Sequence, residues 1–181
     1  MDTFRTVVVD EKDMSPELDG EIRRLLCQAF PSDTAVFSCS RSWHGSHAAF
    51  SVMLEDKTGI VAHVGMVERV VTVGDTAVRA AGVMNVFVAL AKKGLGLGAR
   101  VMLAAASEAL HRDYDIGLLF CVPDLENFYA TAGWLSVGSR TVTRIDKGEE
   151  KPLPDKNIAM YLPLALTTLP AGPIHLNGND W

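Results

Sequence analysis

Glycine spacing marks a candidate phosphate-binding turn near the middle of the chain. Gly94, Gly96 and Gly98 follow an apolar stretch that predicts a strand ending near Leu90, and an Ala- and Leu-rich stretch that predicts a helix comes next. Backbone N–H groups in the first turn of a helix have no intrahelical partner, and the helix dipole adds partial positive charge there. Because glycine has no Cβ, a pyrophosphate could approach these groups closely. The same pattern is also typical of a simple tight connection.

Two well-known phosphate-binding patterns differ from this turn. The dinucleotide fingerprint requires G-x-G-x-x-G at the start of a repeated βαβ array. Here the spacing is G-x-G-x-G, and predicted antiparallel hairpins precede it. The P-loop requires G-x-x-x-x-G-K-[ST], which the sequence lacks. The turn therefore belongs to neither class.

The elements that must position this turn can be predicted from hydrophobic periodicity and from turn residues. The predicted strands span residues 5–9, 47–54, 60–73, 78–88, 116–122, 137–145 and 158–164, and the predicted helices span 16–30, 99–111 and 123–132. Between the first predicted helix and the second predicted strand, residues 32–45 form a polar loop long enough to be functional. The stretch after residue 164 is rich in Pro and Gly and is predicted to be irregular.

This element order combines antiparallel hairpins with a β-α-β crossover, which predicts a mixed α+β sandwich. We expect a central, mostly antiparallel sheet of about seven strands, with helices on both faces. A length of 181 residues fits one domain. Residues 1–181 are therefore predicted to form a single domain.

Composition excludes several classes of function. The net charge is −5 and no run of Lys or Arg is present, so a nucleic-acid partner is not expected. Three cysteines without a CxxC pair indicate reduced thiols rather than a disulfide framework or a metal site. The N-terminal residues lack a signal-peptide pattern, and no apolar run reaches the length of a membrane span. We expect a cytoplasmic protein without a membrane or metal partner.

Two motifs carry a family resemblance. The segment Lys93-Gly94-Leu95-Gly96-Leu97-Gly98 resembles the [RQ]-x-x-G-x-[GA] acyl-CoA signature of the GNAT superfamily of N-acetyltransferases, with Lys in the first position. Beyond the next predicted strand, residues 127–134 (NFYATAGW) resemble the second landmark, an apolar residue followed by Y-x-x-x-G-[FW]. Shorter segments, such as R-S-W-x-G at 41–45, are similar to the nodulation protein A acyltransferases. The segment A-x-x-G-W at 130–134 and Trp181 are similar to the aminoglycoside 2'-N-acetyltransferases.

The resemblance implies a GNAT-like fold and an acyltransferase that uses acetyl-CoA, without a metal. Tyr129 matches the tyrosine that protonates the departing thiolate, a general-acid role for a phenol with a pKa of about 10. A half-buried tyrosine that only packs its ring is the alternative. The residues expected to hold coenzyme A are Val86, Phe87, Val88, Lys93, Gly94, Leu95, Gly96, Leu97, Gly98 and Asn127.

The resemblance further implies a small-molecule amine as acceptor, with an amino sugar or aminoglycoside as the class considered first. Its expected contacts are Trp43, Met84, Asn85 and Trp181. Many relatives carry a carboxylate on the strand before the glycine turn, whereas this chain has Val-Met-Asn-Val at 83–86. The general base therefore stays open between His63, Glu68, Asp124, the carboxylate of Trp181 and an amine that arrives neutral.

Two other functions compete with this prediction. One is a nodulation-protein-A-like transfer of a fatty acyl chain from acyl carrier protein to an amino sugar, docked through Lys92, Lys93, Arg100 and Arg112. The other is an acyl-CoA-binding sensor module without catalysis, a hypothesis kept open by the missing carboxylate. Members of this superfamily often pair through their C-terminal strands, so a homodimer is also left open.

Overall fold

The computed structural model describes residues 3–181. The helices are α1 (Pro16–Ala29), α2 (Thr34–Phe37), α3 (Leu97–His111) and α4 (Glu126–Thr131). The strands are β1 (Arg5–Asp10), β2 (Phe50–Asp56), β3 (Gly59–Val73), β4 (Thr76–Val88), β5 (Ile116–Cys121), β6 (Leu135–Ser136), β7 (Val142–Asp146), β8 (Glu149–Pro152), β9 (Ile158–Pro163) and β10 (Ile174–His175). The chain divides into two compact units. The first contains the described residues up to Met66 and Met84–Ala105, and the second contains Val67–Val83 and Ala106–Trp181.

Helix α1 begins where the sequence provides a cap. The Ser15 hydroxyl accepts a hydrogen bond from the Leu18 backbone N–H at 3.2 Å, and Pro16 occupies the first turn, where no intrahelical N–H donor is needed. The buried face of the helix carries Ile22, Leu25 and Leu26. Burying each of these side chains contributes roughly 1.5–3 kcal/mol. The predicted helix is confirmed to within one residue at its C-terminal end.

In the first unit, β1, β2 and β3 form an antiparallel ladder. Val8 lies opposite Val52, and Val52 lies opposite Val64. The core of this unit joins the apolar face of α1 to the sheet, with Leu26, Phe37, Met53 and Phe87 buried together. This core anchors the end of β4 that precedes the glycine turn.

The second unit contains a longer sheet with the strand order β6-β9-β5-β4-β3-β10-β7-β8. Strands β4 and β5 are parallel, with Gly82 opposite Leu118, and β9 runs antiparallel to β5. The short strand β10 pairs antiparallel with β3 and parallel with β7. The sheet is mostly antiparallel, as predicted.

The expectation of about seven strands is corrected to ten among residues 3–181. The predicted strand at 137–145 is shorter in the structure, because β7 begins only at Val142, and Gly138, with a positive φ of 69°, lies between β6 and β7. Strand β8 lies between the predicted strands at 137–145 and 158–164, where no strand was predicted, and β10 lies in the segment predicted to be irregular. The polar loop at 32–45 contains the one-turn helix α2.

No helix within residues 3–181 combines the length and the apolar character needed to cross a membrane. In the same described part of the chain, no three His, Cys, Asp or Glu side chains are grouped closely enough to hold a metal ion.

Candidate active site

The glycine turn adopts the conformation for which glycine is suited. Gly94 and Gly96 have φ values of 82° and 72°, which side chains on other residues disfavour, and a Cβ at either position would meet nothing within 4 Å. Helix α3 then begins at the buried Leu97, and the Arg100 backbone N–H donates to the Gly96 carbonyl at 3.1 Å. The N–H groups of residues 97–99 precede this first intrahelical bond, so the turn presents uncommitted donors beside open space.

The basic side chains near this turn differ in their contacts and in their exposure to solvent. The Lys92 ammonium contacts the Asp56 carboxylate at 2.6 Å, and this hydrogen bond is the main reason why the pKa of Asp56 is lowered to about 2. Arg100 donates to the Phe4 carbonyl at 2.9 Å. Lys93 is exposed at the start of the turn. A phosphate at the turn would therefore meet the Lys93 charge.

Strand β4 is kinked at Asn85, just before the segment predicted to hold the pantetheine arm. Asn85 is buried and has a φ of 57°, a left-handed conformation that asparagine tolerates better than most residues. Its side-chain amide donates to the Arg41 carbonyl, and its own carbonyl accepts from His63 Nδ1 at 3.0 Å. These bonds fix the turn of the backbone that leads into Val86, Phe87 and Val88.

His63 is neutral and has a hydrogen-bond partner on each ring nitrogen. Because a carbonyl only accepts, Nδ1 carries the proton, and Nε2 accepts from the Ser51 hydroxyl at 3.2 Å. The ring stacks on Phe87 with centroids 5.4 Å apart. Burial lowers the pKa of His63 to about 4. This geometry fits a residue that holds the β4 kink better than it fits a general base.

A polar cavity of about 160 Å³ lies beside β4 in the first unit, and Met84 forms part of its wall. The buried Arg41 lines it and is held between two carboxylates, with Nη2 2.5 Å from Glu11 Oε1 and Nε 2.6 Å from Asp19 Oδ1. Burial opposes the charge on Arg41, but the two carboxylates outweigh this effect and raise its pKa. Glu11 and Asp19 lie 30 and 22 residues from Arg41 in the chain, and neither was predicted from the sequence to belong to a site.

Trp43 was predicted to contact the acceptor. Its ring packs against Phe30 and Phe37, with centroid distances of 5.0 and 4.9 Å. The side chain is half-buried against the core of the first unit. Packing therefore explains the position of this ring, and its contact with the acceptor stays a prediction.

Tyr129 lies on α4 in the second unit. Its ring is 7% exposed and meets Phe128 and Trp134 edge-on, at centroid distances of 5.0 and 6.2 Å. Burial, with a smaller effect of the neighbouring Cys121, raises the pKa of Tyr129 to about 12. No group among residues 3–181 hydrogen-bonds to its hydroxyl. The phenol therefore stays protonated at neutral pH and can donate its proton. Asn127, on the same helix, is exposed.

Trp181 is ordered and buried in the second unit. A Cβ built on Gly82 would overlap the indole, so only glycine at position 82 leaves room for it. The indole N–H donates to the Leu118 carbonyl at 3.4 Å, and the Arg69 guanidinium lies 5.4 Å from the ring centroid. The adjacent Asp180 pairs with Arg144 at 2.9 Å. The last residues of the chain are therefore fixed on β4 and β5 by specific contacts.

Glu68 and Asp124 are two further candidates for the general base, and their carboxylates have different surroundings. Glu68 accepts a hydrogen bond from the Tyr114 hydroxyl at 2.9 Å and contacts Arg79 at 3.3 Å. Asp124 is exposed in the 3-10 turn that precedes α4. Glu68 thus has structural partners, whereas Asp124 is open to solvent.

Comparison with known proteins identifies relatives. The profile of the nodulation protein A (NodA) family matches residues 4–178. The aminoglycoside 2'-N-acetyltransferase of Mycolicibacterium fortuitum is 27% identical over 165 residues, which cover 91% of this chain and 80% of that protein.

Solved structures share the fold at low sequence identity. The GNAT family N-acetyltransferase YhbS from Escherichia coli, solved in complex with CoA, has a TM-score of 0.63 and 14% identity, covering 97% of this chain and 91% of its own. A GNAT family acetyltransferase from Brucella melitensis, in complex with acetyl-CoA, has a TM-score of 0.59 and 15% identity, covering 94% of each chain. The GNAT-like fold expected from the two motifs is confirmed. The chain belongs to the nodulation protein A family and is an acyltransferase with the GNAT fold.

Proposed function

We propose that this protein transfers an acetyl group from acetyl-CoA to the amine of a small molecule. The observation that carries the proposal is the glycine turn, in which Gly94 and Gly96 adopt positive φ values beside open space and α3 begins directly afterwards. Such a turn suits a pyrophosphate. The relatives from E. coli and B. melitensis, solved with CoA and acetyl-CoA, support the choice of donor.

The proposed donor contacts in the first unit follow one another along the chain. Backbone groups of Val86, Phe87 and Val88 would bind the pantetheine arm and the thioester oxygen, since this segment directly follows the kink at Asn85. An N–H directed at that oxygen stabilises the negative charge that develops on it in the transition state. The pyrophosphate would lie against residues 93–98. Asn127 is a further proposed contact.

The proposed reaction is a direct transfer. The amine nitrogen attacks the thioester carbonyl carbon, the C–N bond forms, and the C–S bond breaks to release the CoA thiolate. The amine loses one proton to solvent, and Tyr129 donates a proton to the thiolate. A phenol with a pKa raised to about 12 remains protonated at working pH and is re-protonated from water after each turnover.

The role of Tyr129 can be tested with Tyr129→Phe, which keeps the packed ring and removes the proton. We expect kcat to fall by about 100-fold, a typical general-acid contribution, with an unchanged Kd for acetyl-CoA. Release of CoA in the presence of a panel of amines gives the rate, and calorimetry gives the Kd. Tyr161→Phe on β9 is the matched control and should keep full activity. An unchanged kcat in Tyr129→Phe would contradict the proposed role.

The family match favours one second candidate, the transfer of a longer acyl chain from acyl carrier protein to an amino sugar, because the nodulation protein A profile spans residues 4–178. The two donors are distinguished by comparing acetyl-CoA with acyl carrier protein bearing a long chain. Binding of acetyl-CoA without transfer to any amine would instead support a non-catalytic acyl-CoA-binding module.

We also propose that residues 1–181 act as one acyltransferase domain in the cytoplasm, where acetyl-CoA is available. A homodimer stays a prediction, and light scattering of the purified protein tests it.

A further inference from the structure

Another cavity, of about 330 Å³, lies within the second unit. Its walls come from residues in 136–142 and 152–159, the stretches that join β6 to β7 and β8 to β9. This volume is near the lower end of the roughly 300–1,000 Å³ that is usual for small-molecule sites. None of the residues assigned to the donor or to the acceptor lines it. By size, the ligand that fits this cavity is a small molecule.

Arg140 brings a positive charge to this cavity. Its half-buried guanidinium donates through Nη1 to the carbonyls of Pro170 and Gly172. Among residues 3–181 it meets no carboxylate, and its Nε and Nη2 groups have no hydrogen-bond partner. Charged side chains that leave water are usually paired. Because the Nε and Nη2 edge of arginine matches the two oxygens of a carboxylate, a bound carboxylate would complete this site.

Asp155 brings a negative charge to the same cavity. Its side chain is exposed and contacts no basic group in the described part of the chain. A simple anion bound to Arg140 would be repelled by this carboxylate, whereas an ammonium group on the same ligand would be attracted. The half-buried Asn157 also lines the cavity, and its amide oxygen can accept a hydrogen bond from an ammonium. The charges therefore fit a zwitterion.

Much of the remaining wall is apolar. Val137, Val142 and Ala159 are buried, and Leu153 and Ile158 are half-buried. An aliphatic group that covers these side chains would remove apolar surface from water, which favours binding. An inorganic anion such as phosphate has no group that could do so. The wall therefore favours a ligand with an aliphatic part.

We propose that this cavity binds a free α-amino acid with an aliphatic side chain, such as leucine. Arg140 pairs with the α-carboxylate, Asp155 and Asn157 bind the α-ammonium, and the apolar wall covers the side chain. This binding lies beyond the proposed acetyl transfer and does not require acetyl-CoA.

Three ligands that differ by one group test the assignment. Leucine is titrated by calorimetry into the full chain without acetyl-CoA, beside isocaproate, which lacks the ammonium, and isoamylamine, which lacks the carboxylate. Isoamylamine should bind at least about tenfold more weakly than leucine, because bidentate bonds to a carboxylate are strong. Isocaproate should bind about threefold more weakly, because an exposed ion pair contributes little. Equal binding of the three ligands, or tighter binding of inorganic phosphate than of leucine, would overturn the inference.

Variants that remove one charge test each contact. Arg140→Gln should weaken leucine binding at least about tenfold, and Lys147→Gln, in the exposed turn between β7 and β8, is its matched control. Asp155→Asn should weaken leucine binding about threefold without weakening isocaproate binding, and Asp75→Asn, in the exposed turn between β3 and β4, is its control.

Thermal unfolding shows whether each variant is folded. Because Asp155 is exposed, Asp155→Asn keeps the inference testable even if Arg140→Gln does not fold. Unchanged leucine binding in Asp155→Asn, or an equal loss of leucine and isocaproate binding in that variant, would contradict the assignment of the ammonium.

Discussion

Acid should destabilise this protein through His63. The pKa of this residue is lowered to about 4, mainly by burial, whereas an unfolded histidine has a pKa of about 6.5. Between these values the unfolded chain binds a proton at His63 and the folded chain does not. The stability contributed by the neutral ring is therefore fully present above pH 6.5 and is lost as the pH falls towards 4.

The size of the effect follows from the same two pKa values. One pKa unit corresponds to about 1.4 kcal/mol, so the full loss of unfolding free energy is about 3 kcal/mol. The part that falls between pH 7 and pH 5 is about 2 kcal/mol. That is a sizeable fraction of the roughly 5–15 kcal/mol by which domains are stable.

Urea denaturation of the wild type, His63→Gln and His111→Gln at pH 7 and pH 5 measures this effect. His111 is exposed at the end of α3 and is the matched control. The quantity compared is the change in unfolding free energy between the two pH values, so any loss of packing in His63→Gln cancels. We expect this change to be smaller by about 2 kcal/mol in His63→Gln and unaltered in His111→Gln. Equal acid sensitivity in all three proteins would refute the assignment of His63 as a buried neutral residue.

Three other substitutions test packing, the helical glycine and capping. Gly82→Ala would place a Cβ within the Trp181 indole and should cost about 1–3 kcal/mol by overpacking, with a change in tryptophan fluorescence. Gly20→Ala, inside α1 with nothing within 4 Å of the new Cβ, should instead stabilise by about 0.5–1 kcal/mol. Ser15→Ala removes the α1 cap and should cost about 1 kcal/mol. Urea denaturation measures each change, and a Gly82→Ala protein as stable as Gly20→Ala would contradict the Trp181 contact.

Much of the fold follows from local sequence patterns. The capping serine and proline at 15 and 16 define where α1 begins, and apolar runs bounded by turn residues define β3 and β4 to within two residues. The short strands are different, because β10 has two residues and exists only through its pairing with Val73 and Val142. Pairing across such distances leaves no local signal. The late start of β7 within the predicted strand at 137–145 also has no local signal, since only the backbone shows the positive φ of Gly138 before it.

The residues of the candidate site also differ in whether a local sequence pattern predicts them. The glycine turn and the motif around Tyr129 are contiguous, so the sequence displays them. The left-handed conformation of Asn85 depends on hydrogen bonds from His63 and to Arg41, which lie 22 and 44 residues away. The two carboxylates that hold Arg41 lie 30 and 22 residues before it in the chain. Contacts between side chains that are far apart in the sequence could therefore not be predicted, although the sequence shows which residues are present.

The position of β10 also has a consequence for synthesis on the ribosome. In the sheet of the second unit, β10 separates β3 from the hairpin of β7 and β8, yet it is translated after all three of these strands. Chain elongation runs at roughly 5–20 residues per second, so β3 and β7 are both made seconds before the strand that joins them. During that interval each presents an unpaired edge, the kind of edge that recruits other chains. Nascent chains stalled just before residue 174 should therefore need chaperone protection more than the finished protein does.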